Sequence, residues 1–218
     1  RLSGETPEIV YTGENLVDGK PVNAGEYTAS ISVGGQSVSV TYTITKMMNP
    51  VGSVTASTVQ NTIDISAGNQ ALSRTNASVP GTLSLTDVET LRWGEYQYNW
   101  KFTPEDTLNY SECTGTVSIQ VMDTNRPTIQ YRIGDGVAKN LENHTGYILY
   151  TKENQNISLE YADGESGVKD QKYYISANPL SESEKEGIEW ADYTESIALT
   201  NPGIYFVYAC ATDVYGNE

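Results

Sequence analysis

Apolar and polar side chains alternate along several long stretches of this chain. Tyr27, Ala29, Ile31 and Val33 fall on one side of an extended segment, with Glu26, Thr28, Ser30 and Ser32 on the other. A period of two marks a half-buried β-strand, because successive strand side chains point to opposite faces. Gly34-Gly35-Gln36 then reverses the chain, and Val38, Val40, Tyr42 and Ile44 alternate with Ser39, Thr41, Thr43 and Thr45. These two runs are predicted to form a hairpin, with short strands added by Ile9-Val10-Tyr11-Thr12 and by the segment around Pro21-Val22. The alternation recurs in Tyr96, Tyr98, Trp100 and Phe102, in Val117, Ile119 and Val121, in Ile129, Tyr131 and Ile133, and in Ile157, Leu159 and Tyr161. Residues 204–210 are apolar on both faces. That predicts a strand covered on both sides, for which the preceding unit is one candidate cover. A single short helix is predicted over residues 181–188, where Ser181 and Glu184 have capping-box spacing and Gly187 lies near the end.

One phrase punctuates the alternation three times: Gly25-Glu26-Tyr27, Gly94-Glu95-Tyr96 and Gly203-Ile204-Tyr205. Glycine permits the turn and tyrosine opens the strand, so Tyr27, Tyr96 and Tyr205 are expected to be largely buried near a sheet corner, like the tyrosine corner of β-sandwiches. Lys46-Met47-Met48-Asn49-Pro50 and Asp123-Thr124-Asn125-Arg126-Pro127 interrupt the pattern and are expected to be junctions. The expected fold class is therefore all-β, a tandem of small antiparallel β-sandwich (Ig-like) domains over 1–47, 48–123 and 127–218. The first of these is short for a sandwich and is expected to lack its beginning or to lean on its neighbour.

Composition narrows the function classes. The net charge of −15 repels phosphate backbones and anionic headgroups, so nucleic acid is not an expected partner. No stretch approaches the roughly 18 apolar residues of a membrane helix, so no membrane insertion is expected. Only two cysteines occur, Cys113 and Cys210, in different expected units. They are read as buried free thiols, with an inter-unit disulfide as the alternative.

Residues 23–28 and 42–46, with Asn23-Ala24-Gly25-Glu26-Tyr27 and Tyr42-Thr43-Ile44-Thr45-Lys46, resemble the second half of the bacterial MBG-type repeats of large surface proteins. Val79-Pro80-Gly81-Thr82-Leu83, Gly94-Glu95-Tyr96, Phe102-Thr103-Pro104-Glu105-Asp106, Asn109-Tyr110 and Gly115-Thr116-Val117 resemble another repeat of that group. Asp163-Gly164-Glu165-Ser166-Gly167, Tyr173-Tyr174-Ile175, Trp190 and the ending from Tyr208 through Ala211-Thr212-Asp213-Val214-Tyr215-Gly216-Asn217 resemble a bacterial Ig-like (Big-type) domain, with Cys210 a departure from the plain residue expected there. The resemblance implies a non-enzymatic, extracellular stalk or adhesion segment of a secreted or wall-attached bacterial protein. It implies a monomer that presents other domains to a host or cell-surface protein or glycan, and it carries over no catalytic residue.

Candidate chemistry is sparse. His144 is the lone histidine and is read as a loop residue, since one imidazole cannot complete a usual zinc site. No Gly-x-Ser-x-Gly elbow occurs, and the acidic residues are read as a solubilising coat. Asp163, Glu165 and Asp170 surround a turn, with Asp213 and Asn217 at the other end of the same unit. A structural calcium is the metal reading of that set, and turn-forming Asp and Asn are the bland one. No other cofactor is expected. Trp93 and Trp190 sit beside turns and acidic residues and are the candidates for ligand contact, whereas Trp100 alternates with Tyr98 and Phe102 and is read as core. The alternative function they support is a carbohydrate-binding accessory module of a larger secreted enzyme. Lys20, Lys101 and Lys172 are conceivable donors for an internal isopeptide bond.

Overall fold

A computed structural model describes residues 6–142, 146–151 and 154–218 of the chain. It is all-β, built of several antiparallel sheets with two short helices. The backbone divides into two compact units, one formed by residues up to Thr58 with Ile63–Gln120, the other by Val59–Thr62 with Val121–Glu218.

Unit 1 begins with β1 (Ile9–Thr12), β2 (Leu16–Val17), β3 (Lys20–Pro21), β4 (Gly25–Val33) and β5 (Gln36–Ile44). Asp18 and Gly19 join β2 to β3 with φ of 48° and 72°, and Gly34 and Gly35 join β4 to β5 with φ of 57° and 77°. Two consecutive left-handed residues make the turn whose twist matches a hairpin, and Asp-Gly and Gly-Gly supply it at the least steric cost. The predicted hairpin is present, paired from Gly25↔Ile44 to Val33↔Gln36, with β1 on the other side of β4. Its apolar face differs from the half-buried one predicted. Tyr27 is 1% exposed, but Val38 is 72% and Val40 61% exposed, because the sheet has only three strands and no element among the described residues covers its far end.

The base of this sheet is held by the loop over residues 105–112. Asn109 accepts from Ala24 N through Oδ1 (2.8 Å) and donates through Nδ2 to Asn23 Oδ1 (2.9 Å), while Met47 N donates to Asn109 O and Ser111 N to Met47 O.

After the junction come β6 (Val54–Ala56), β7 (Val59–Gln60), α1 (Ile65–Ala71), β8 (Leu72–Arg74), β9 (Gly81–Thr86), β10 (Gly94–Pro104) and β11 (Cys113–Met122). β9, β10 and β11 form a sheet whose inner face carries the predicted Tyr98, Trp100 and Phe102 with Val117 and Ile119, all buried. α1 was not among the sequence expectations. Its seven residues, with Gly68 in the middle, have poor intrinsic helicity. The helix is held by Asp64, whose carboxylate caps Ser66 N at 2.8 Å, and by close packing of Gly68 on Leu85 and Leu91.

In unit 2, the end of β11 pairs with β7 in parallel (Val121↔Val59), and the chain continues through β12 (Thr128–Ile133), β13 (Lys139–Leu141), β14 (Tyr147–Thr151), β15 (Gln155–Ala162), β16 (Val168–Ser176), α2 (Glu182–Lys185), β17 (Ala191–Asp192), β18 (Ile197–Leu199) and β19 (Gly203–Asp213). Two four-stranded sheets result, in the orders β13-β12-β15-β18 and β14-β19-β16-β17. They share one core: Ile129, Tyr131, Ile157 and Leu159 from the first meet Leu149, Val207, Ala209 and Ala211 from the second.

The far face of β19 is covered as well, which explains its two-sided apolar run. The cover comes from within the unit. Leu180 N donates to Tyr208 Oη at 2.8 Å, the Lys185 ammonium sits 6.0 Å above the Tyr208 ring, and Gly146 lies so close to that ring that a Cβ there would meet it at 2.6 Å. α2 is the predicted short helix, with the Glu184 carboxylate accepting from Ser181 N (2.8 Å) and Ser181 Oγ (2.6 Å).

Candidate functional site

Three features gather the chemistry-bearing side chains: an acidic clasp, a cleft at α2 and the tyrosine turns.

The clasp lies in unit 2, where the residues after β11 meet two turns. In the first turn Asp163 Oδ1 accepts from Glu165 N (2.9 Å) and Gly167 N (3.0 Å), an arrangement that needs the left-handed Gly167 (φ 89°). Asp123, only 2% exposed, accepts from Asn125 N through Oδ1 (2.9 Å) and from Ser166 N through Oδ2 (3.1 Å). Glu165 Oε1 accepts from Asn125 Nδ2 at 3.0 Å. In the second turn Asn217 donates N and Nδ2 to the Asp213 carboxylate (2.8 and 2.6 Å) and Nδ2 also to Asp123 O (3.0 Å), while Tyr215 Oη donates to Val121 O (3.1 Å). On the remaining side Thr124 N donates to Asn61 Oδ1 at 2.6 Å. Residues 121–125 are thereby pinned from three directions.

One carboxylate oxygen from each of Asp123, Asp163 and Glu165 lies within 4.8 Å of the others. Oxygens bound about 2.4 Å from one hard cation lie no further apart than about 4.8 Å, so the separation and the all-oxygen donor set fit calcium. Asp163 Oδ2 is shut off from solvent with no hydrogen-bond partner, which adds to the fit. Burial would raise the pKa of Asp123, but the Ser166 hydroxyl beside it and the backbone N–H groups around the carboxylate, those of Asn125 and Ser166 donating to it directly, together hold it below the usual carboxylate range. Asp123 therefore stays ionised, as a metal ligand must. Asp163 and Glu165 thus come together as the sequence suggested, whereas Asp170 stands apart on β16, accepting from Thr212 Oγ1 at 2.9 Å. Asp123 takes the third place. Its Asp-x-Asn spacing was the available signal, read in the sequence only as linker.

The two tryptophan candidates occupy different settings, and both are half-buried. Trp93 lies just before β10, and Trp190 lines a cleft beside α2 together with Tyr174 of β16.

Of the three tyrosines, Tyr27 is buried and its Oη donates to Asn23 O (2.7 Å) and Asn15 O (3.1 Å). Tyr205 is half-buried, with Oη donating to Asn201 O at 2.8 Å. Both phenols arc back over the preceding glycine to the carbonyl four residues upstream. Tyr96 departs from the expected burial. It is 42% exposed with the Arg92 guanidinium 5.6 Å above its ring, and Tyr98 takes the inner position, its Oη accepting from Arg92 N at 2.8 Å.

Cys113 is a half-buried and Cys210 a buried free thiol, and burial pushes both thiols up, Cys210 to about 11. Lys101 is paired with Glu112 at 2.8 Å, and Lys20 and Lys172 lie on β3 and β16. His144 lies outside the described residues. No known family model and no curated protein matches the chain.

Proposed function

We propose that this chain is a non-enzymatic spacer or adhesion segment of an extracellular bacterial protein, made of two MBG-like stretches (1–47 and 48–123) and an Ig-like sandwich (127–218). The observation that carries the reading is the clasp on residues 121–125. Residues 123–125, which begin the segment 123–127 read from the sequence as a junction, are fixed by Asp123, Asn217 and Asn61 to the unit they enter, and Tyr215 holds Val121 at the strand end just before them. Immobilising a connecting segment suits a part whose task is to hold position under load, because it removes the backbone freedom that would let the chain fold back. Asp123, Asp163 and Glu165 would hold a calcium ion, which would tie the linker to the 163–167 turn by charge as well as by hydrogen bonds. The two-sheet unit with a shared core adds support, since such a unit buries its own apolar surface.

The test is display of the chain on a bacterial surface between an anchor and a terminal epitope. Capture of cells by anti-epitope beads under shear is expected to fall when an unstructured Gly-Ser linker of the same residue count replaces the chain. Equal capture would overturn the spacer reading. A second reading, a carbohydrate-binding accessory module, is favoured by the Trp190 cleft.

A further inference from the structure

Residues 177–190, which cover Tyr208, also wall a cleft of about 680 Å³ whose lining includes Tyr174, Ser183, Glu184, Ile188, Glu189 and Trp190. We propose that this cleft is a binding site for a neutral glycan, with the Trp190 indole as the platform for a sugar ring. The inference goes beyond the spacer reading and stands or falls separately from it.

Size is the first argument. The volume falls in the range of about 300–1,000 Å³ typical of small-ligand sites. Composition is the second. Two half-buried aromatic side chains leave part of each ring accessible, and Leu180 and Ile188 add apolar wall, which suits the C–H face of a pyranose. Exposed Ser183 and Glu189 offer oxygen acceptors, and Ser183 also a donor, for sugar hydroxyls.

Charge is the third. Hydrogen bonds from the Ser181 side chain and backbone lower the pKa of Glu184, so that it remains a carboxylate at neutral pH. Among the described residues no lysine, arginine or histidine lines the cleft, and the whole chain carries −15, so sialylated and sulfated glycans are repelled. Carboxylates beside aromatic rings also suit an ammonium group, but one such group would fill only a small part of the volume. The cleft is also rigid. The cleft wall is fastened to β19 through Leu180 N and Tyr208 Oη at 2.8 Å, and Lys185 reaches both the Tyr208 ring and Glu182 (2.7 Å). A wall fixed in advance lowers the ordering cost of binding.

The experiment uses the whole chain on an array of neutral gluco-, xylo-, galacto- and N-acetylglucosamine oligosaccharides alongside sialylated and sulfated ones, followed by titration with any oligosaccharide retained. At least one neutral class is expected to bind and the anionic classes to fail. Trp190→Ala is expected to weaken binding at least tenfold and Trp93→Ala to leave it unchanged. Circular dichroism checks that Trp190→Ala is folded, and Glu189→Gln, which spares the packing, gives a second reading of the same site. Retention of no neutral glycan, affinity indifferent to both cleft variants, or displacement of the sugar by choline would overturn the proposal. Each of those outcomes leaves the shear-capture result for the spacer untouched.

Discussion

At the scale of single residues, the phrase Asn-x-Gly-x-Tyr does specific work twice. Asn23 and Asn201 each present a carbonyl to the phenol four residues on, at 2.7 and 2.8 Å. Gly25 sits under the Tyr27 ring, where a Cβ would lie 3.3 Å from the phenol oxygen. Tyr27→Phe removes a buried hydroxyl whose single hydrogen is shared between the Asn23 and Asn15 carbonyls, so a loss of roughly 1–3 kcal/mol is expected in urea denaturation. Tyr96→Phe is expected to change stability by less than about 0.5 kcal/mol, as for exposed positions generally. Comparable losses for the two variants would contradict the assignment. The difference between Tyr96 and Tyr98 was not legible in the alternation. The two are separated by one full period of the strand, so the pattern places both on the same face and says nothing about which one lies over the core. The distinguishing letter is at the fourth position upstream, asparagine for Tyr27 and Tyr205 but Arg92 for Tyr96.

At the scale of elements, runs of alternation translated directly into strands, as in β4, β5, β10 and β11, because period two is a local property. What covers a strand is not local. The β5 face reads as inward and lies open, and β19 is covered on its second side by residues 177–190 rather than by another unit. α1 leaves no mark in the sequence pattern because its stability comes from contacts with Leu85 and Leu91, which propensity does not contain. Close packing also sets a test in β11. A Cβ at Gly115 would stand 2.6 Å from Trp100 Cζ2, a buried and rigid ring. Gly115→Ala is therefore expected to destabilise by about 1–3 kcal/mol, whereas Val38→Thr on the open face costs little. Thermal unfolding of the two variants checks this, and equal melting temperatures would show the Trp100 contact to be slack.

At the scale of the whole molecule, the surplus of acid has both a diffuse and a focused part. Most of the 28 Asp and Glu residues are dispersed, but three converge at the clasp. A cation bound only by the folded form stabilises it by about 2.7 kcal/mol at a hundred times its dissociation constant. Millimolar calcium is accordingly expected to raise the melting temperature by several degrees, magnesium to do less because it demands a stricter octahedral geometry, and Asp163→Asn to abolish the calcium response. An unchanged melting curve in calcium would remove the metal from the account. The clasp was half legible. Asp163 and Glu165 share one turn and announce themselves, but Asp123 is forty residues away in sequence and joins them only through the fold.

The double use of the Asn-x-Gly-x-Tyr word has a practical corollary. Five residues that close the same small loop at the mouths of two separate sheets behave as a portable latch, needing from their host only an extended strand to follow. What each phenol grips is a main-chain carbonyl, so the fastening is set by the path of the backbone from the asparagine through the glycine.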